Sequence, residues 1–109
     1  MKEFNDIFNE LKNEVTDLAK SNLKEMQNEA IADSGQFLNA LKDDMKNWSL
    51  MLVNGEISNK DFESLVRGKK SLAVMTALKQ KGLTQVRVDK FVNGIIDIIV
   101  GKVFDSLKK

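Results

Sequence analysis

The side chains in this sequence that could do chemistry are few in kind. It has no His and no Cys, so reactive groups come down to Asp, Glu, Lys and Ser. Without His, the usual general base near neutral pH and the commonest transition-metal ligand are both missing. Without Cys there is no disulfide, thiolate metal site or thiol nucleophile. No arrangement of the carboxylates, lysines and serines looks tuned for acid–base or nucleophilic work. The expectation is a protein that is not an enzyme, with no catalytic residues, no cofactor and no metal.

One stretch invites a metal reading all the same. VNGEISNKDFESLV, residues 53–66, resembles the second half of an EF-hand calcium loop. Such a loop has Gly at position 6 and oxygen ligands at positions 1, 3, 5 and 12. With Gly55 at position 6, positions 1 and 3 fall on Leu50 and Leu52, which cannot ligate a hard cation. Asn54 and Asp61 alone do not make a site. The same residues do make a helix corner. Asn54-Gly55 stops one helix, Gly tolerating the left-handed backbone that a stop needs. Ser58 caps the next, Asp61 reaches back from the third position, and Ile57 and Phe62 stand where a hydrophobic staple would.

Two further stretches suggest partners. KGLTQVRVDKFVNG, residues 81–94, resembles the opening of a helix-turn-helix. The reading helix would then be residues 95–104, which are almost entirely aliphatic, whereas base readout needs exposed polar side chains. Nucleic acid is not the expected partner; Arg67, Lys69, Lys70, Lys79 and Lys81 read as solvated helix faces. GIIDIIVGKVFDSLKK, residues 94–109, resembles short membrane-active amphipathic peptides in composition. Its polar stripe mixes Asp with Lys, where an interfacial helix carries Lys or Arg. Burial in a core is favoured over a membrane.

These features must be positioned by helices. The chain has no Pro, 42% apolar and 30% charged residues, and is long enough for one domain, residues 1–109. From Phe4 through Phe8, Leu11, Val15, Ala19, Leu23, Met26, Ala30, Ser34, Phe37, Leu41, Met45 and Trp48 to Leu52, a stripe repeats every three or four residues, a mean of about 3.7. It predicts one long helix over about 3–53, with a weak point for a kink or break at Asp33-Ser34-Gly35. A helical hairpin follows, about 58–81 and 84–107. Gly82 ends its first helix, Thr84 caps its second, and a bend is expected near Arg67-Gly68-Lys69-Lys70. Residues 72–78 are apolar nearly all round and read as a buried turn. In the last helix apolar positions cover about two-thirds of the wheel, leaving a polar stripe of Lys90, Gly94, Asp97, Gly101, Asp105 and Lys108. The fold class is all-α, an antiparallel helical bundle with coiled-coil-like packing.

Charge divides between the halves. Residues 1–47 carry 6 Lys against 10 Asp and Glu, a net of −4, and residues 48–109 carry 11 Lys and Arg against 6 Asp and Glu, a net of +5. The halves are expected to pack on each other, within one molecule or between copies; the alternative is a basic surface for an anionic partner. A continuous helix of about 50 residues would span about 75 Å, and helices of about 24 residues could not cover its stripe. A homo-oligomer, with a dimer favoured, follows from that length. Its candidate interaction surface is Phe4, Phe8, Leu11 and Val15, together with Gly94, Asp97 and Gly101 on the last helix. A break at 33–35 would instead permit a monomer. No apolar run reaches the length of a membrane span, and no signal-peptide pattern opens the sequence, so a cytoplasmic location is expected. The expected function is non-catalytic protein–protein assembly, as an adaptor or structural protein. The alternative is a peripheral lipid-binding protein using residues 84–109.

Overall fold

The computed structural model describes residues 3–107, which form an antiparallel all-α bundle. Its helices are α1 (Phe4–Asn22), α2 (Gln27–Val53), α3 (Asn59–Gly68), α4 (Thr76–Gln80) and α5 (Gln85–Leu107), with 3-10 turns at Lys24–Met26 and Lys70–Leu72. α1 and α2 form a hairpin, Phe4 at the start of α1 lying beside Ser49 and Val53 near the end of α2. α5 runs back along α1, bringing Arg87 to Glu25 and Lys102 to Glu10. α3 lies antiparallel on α5, where the Phe62 and Phe104 rings sit 5.9 Å apart.

The long helix expected over 3–53 is two helices. The chain turns at Leu23–Met26 rather than at Asp33-Ser34-Gly35, and the molecule's longest extent is 43 Å. Leu23 (φ −128°, ψ 52°) and Met26 (φ −133°, ψ 32°) leave helical geometry on either side of the 3-10 turn. The Ser21 hydroxyl donates to the Leu18 carbonyl at 3.2 Å, a local bond of the kind that competes with helix continuation. Leu23 and Met26 are themselves three apart, so the stripe passes through the corner without losing step. Residues 33–35 stay helical within α2, and a Cβ added at Gly35 would meet nothing within 4 Å.

The hairpin changes what covers α1. Phe8, Leu11 and Val15 are buried within the chain, and Phe4 is half-buried against the same core. The Nζ atoms of Lys12 and Lys42 lie 5.8 and 5.1 Å from the Phe8 ring centroid. α5 is consumed in the same way. Val88, Phe91, Val92, Ile95, Ile96, Ile99, Val100 and Val103 are all buried, so its wide apolar circumference lines the core.

Local end signals fold as their chemistry dictates. The Ser58 hydroxyl accepts from the Asp61 N–H at 3.1 Å, and the Asp61 carboxylate accepts from the Ser58 N–H at 3.0 Å. Thr84 accepts from the Arg87 N–H at 3.3 Å. Gly55 and Gly82 adopt φ of 76° and 90°. Beyond each glycine an N–H reaches back five residues, from Glu56 to Met51 and from Leu83 to Leu78, closing the helix end.

Candidate functional site

The helix expected over 58–81 is also interrupted. α3 ends at Gly68, a 3-10 turn occupies Lys70–Leu72, and the backbone then folds sharply. Ala73 (φ −82°, ψ 75°) makes an inverse γ-turn, its two ends joined by the Val74 N–H donating to the Leu72 carbonyl at 3.0 Å. Met75 follows in the left-handed region at φ 54°, ψ 43°, and is the one non-glycine residue with positive φ among those described. That conformation costs an L-residue with a full side chain about 1–2 kcal/mol.

A distant carboxylate holds the corner. Met75 heads α4 without a side-chain cap of its own. Asp33, buried in the second turn of α2, supplies it. Its two oxygens accept from the Ala77 N–H at 3.2 Å and the Leu78 N–H at 2.8 Å. These are the second and third N–H groups of α4, the donors that a local cap would satisfy. The bridge spans 45 residues of sequence. Leu78 and Met75 are thereby pinned into the core, at 0% and 3% exposure.

The residues between are turned outward. Leu72 is 41% exposed and Val74 59% exposed, although the apolar run 72–78 reads as a buried turn. The reason is the γ-turn and the left-handed Met75, which alternate the side chains where a helix would have wrapped them together. Val74 and Ala73 form one wall of a groove whose other wall is the start of α5, through Val88 and Val92. Lys70 and Lys79 stand at its rim, with Asp89 opposite. The Asp89 carboxylate accepts from the Gln85 side-chain amide at 2.9 Å.

The electrostatics around this groove follow from pairing elsewhere. The acidic and basic halves meet inside one molecule: Lys69 with Asp44 (3.7 Å), Lys81 with Glu29 (4.0 Å), Arg87 with Glu25 (2.9 Å), and Lys102 with Glu10 (3.3 Å) and Glu14. Arg67 pairs with Asp97 and Glu63, both at 2.9 Å. The guanidinium is held above its ordinary pKa by the Asp97 hydrogen bond first and the Glu63 bond second. The Lys102 ammonium is likewise held up, chiefly by its hydrogen bond to Glu14. Glu25 is held below the usual carboxylate range, by a backbone hydrogen bond and then by Arg87. Lys70 and Lys79 have no ion pair among the described residues.

No family model, curated protein or solved structure matches the chain.

The residues singled out from sequence are not gathered into one surface. Phe8, Leu11 and Val15 are interior, so self-association through them would require opening the core. Gly94 is half-buried against α1, where an added Cβ would come within 3.1 Å of a Leu18 methyl carbon, so its groove is filled by the chain itself. Asp97 is exposed and engaged with Arg67. Gly101 is exposed with open space beside it, and Lys108 lies outside the described residues. In the stretch with EF-hand spacing, Leu52 is buried and the Asp61 carboxylate is engaged by the Ser58 N–H. Among the described residues no helix is long and apolar enough to cross a membrane, and no cluster of three or more acidic side chains could hold a metal ion. Sequence reasoning missed Asp33 and the exposure of Leu72 and Val74. The available signals were a weak helix former inside the stripe and an apolar run too polyvalent for one helix face.

Proposed function

We propose that the protein is a non-catalytic helical module that works through protein–protein contact, as an adaptor or assembly component, and that it docks a partner at the corner formed by residues 70–79 and the start of α5. One observation carries this reading. Leu72 and Val74 are displayed to solvent on a backbone fixed by a strained Met75 and by a buried carboxylate brought from α2. Strain and buried charge concentrated at one exposed place mark a segment shaped for contact. Aliphatic side chains beside a groove are what a partner's apolar anchor would cover.

The chain's composition supports a binding role over a catalytic one, since no His or Cys is present to do chemistry. Lipid binding through 84–109 has weaker support, because the apolar side chains of α5 are engaged in the core and would reach a membrane only by leaving it. Self-association through the α1 stripe has lost its premise for the same reason.

A photo-crosslinking amino acid at position 74, with position 86 as control, tests the docking site. Val86 is 77% exposed and does not line the groove. The expected result is a specific protein adduct from position 74 and none from position 86. The purified partner's affinity should then fall about tenfold or more with Val74→Asp, the loss of roughly one anchoring contact. Equal adducts from both positions, or an affinity indifferent to Val74→Asp, would refute the site.

A further inference from the structure

Resting on the docking site proposed above, we infer that its occupant is an acidic protein segment: an aliphatic side chain flanked by carboxylates, taken into the groove between Ala73-Val74 and Val88-Val92, with the carboxylates meeting Lys70 and Lys79. Charge complementarity points to this occupant. The basic half of the chain spends Lys69, Lys81, Arg87 and Lys102 on carboxylates of its own acidic half, and Arg67 on Asp97 and Glu63. Among the described lysines of that half, Lys60, Lys70, Lys79 and Lys90 stay outside that pairing, and of these Lys70 and Lys79 stand on the groove. They are exposed, on opposite sides of the displayed Val74 in sequence, so an apolar anchor seated on Val74 puts its neighbours within the field of both.

The one acid on the lining is Asp89, already accepting from Gln85. It leaves the rim net positive and disfavours a partner whose anchor is flanked by basic residues, which would meet both lysines. A nucleic acid backbone would also seek lysines, but the aliphatic floor offers its phosphates and sugars nothing. Aromatic side chains for stacking are missing from the lining too. A second copy of the chain is disfavoured because none of its exposed large aliphatics, Leu50, Val53, Leu72, Val74 and Val86, stands next to an Asp or Glu in sequence.

Panning a random 12-residue peptide library displayed on phage against the full-length protein tests this directly, in parallel with a Lys70→Glu/Lys79→Glu variant whose fold is checked by its thermal melt. The wild type should enrich peptides with Asp or Glu on either side of Leu, Ile or Val, and the synthetic consensus peptide should bind about tenfold more weakly to the double variant, as two exposed charge pairs would give. The variant should enrich Lys and Arg instead. Binding should also fall with Val74→Asp. Enriched peptides that are neutral or basic yet lose binding with Val74→Asp would overturn the acidic occupant while leaving the docking site standing. Peptides indifferent to Val74→Asp, or no enrichment at all, would overturn both. Concentration-dependent dimerisation of the wild type that Lys70→Glu/Lys79→Glu abolishes would replace the foreign segment with a second copy and overturn the inference.

Discussion

Replacing Asp33 with Ala should destabilise the protein by about 2–3 kcal/mol, although the site reads in sequence as a helix weak point. The figure is a balance. Two backbone donors lose their acceptor: the Leu78 N–H, which is buried and bonded at 2.8 Å, and the Ala77 N–H, part-buried at 3.2 Å. A buried donor left unsatisfied costs about 1–3 kcal/mol. Loss of an N-cap alone costs about 0.5–2 kcal/mol. Against this, alanine is the better helix former by roughly half a kcal/mol, and removing a buried carboxylate relieves its desolvation. The losses win because water cannot replace the acceptor at Leu78, whose side chain is fully buried. Asp33→Asn keeps one acceptor oxygen of the same shape and should cost about half as much. Urea titration followed by the fluorescence of the single, half-buried Trp48 on α2 measures the change. In melting temperature it corresponds to a fall of about 10–20 °C. Hydrogen exchange supplies the local readout: the Leu78 amide should lose protection out of proportion to the core amides of α5. A midpoint shifted by less than the equivalent of about 0.5 kcal/mol, with Leu78 still protected, would show that the carboxylate does not hold the corner.

Other substitutions probe the same reasoning. Phe62→Ala removes a fully buried ring that packs on Phe104 and should cost about 3–5 kcal/mol in the same titration; an unmoved midpoint would mean that the corner at 54–62 does not anchor the core. Gly35→Ala should stabilise by about 0.5–1 kcal/mol, since Gly35 is helical and an added Cβ meets nothing within 4 Å; a loss of stability would mean that α2 is not regular through 33–35. The Asp61 carboxyl is held below its ordinary pKa, first by the Ser58 N–H and then by the Ser58 hydroxyl. A carboxylate with a depressed folded-state pKa contributes stability above the unfolded-state value, and that contribution is lost as pH falls through the folded-state value. Wild type should therefore lose more stability than Asp61→Asn between neutral pH and the acid side of the ordinary aspartate range, and parallel pH profiles for the two would contradict the capping box.

What was legible in the sequence was what short-range chemistry decides. Ser58 and Asp61, Thr84, and the glycines at 55 and 82 act within a few residues of themselves, and each sits where its local rule puts it. The core face of α5 was legible because so wide an apolar wheel must be covered, though not by what. The break between α1 and α2 was hidden for a geometric reason. Leu23 and Met26 hold the three-residue step through the turn, so a hairpin and a straight helix show the same stripe. A straight helix implied an uncovered end and hence a second chain. Once the hairpin folds α1 onto α2 and α5, Phe8, Leu11 and Val15 are covered from within, and part of the complementary charge of the two halves is spent in the same contacts.

The corner was illegible for a different reason: its cause lies 45 residues away. Nothing local to 72–78 foretells Met75 in a left-handed conformation, because the compensation comes from Asp33, whose own neighbourhood reads only as a weak helix. Stability accounts for part of the corner. Met75 and Leu78 fill the core beside α2, and the Asp33 bonds offset the cost of the left-handed backbone. It does not account for Leu72 and Val74. Both are turned to solvent by the same backbone, and polar residues at those positions would leave the core unchanged. Exposed aliphatic side chains stand there beside Lys70 and Lys79, which have no ion pair among the described residues. The proposed partner site would account for that combination.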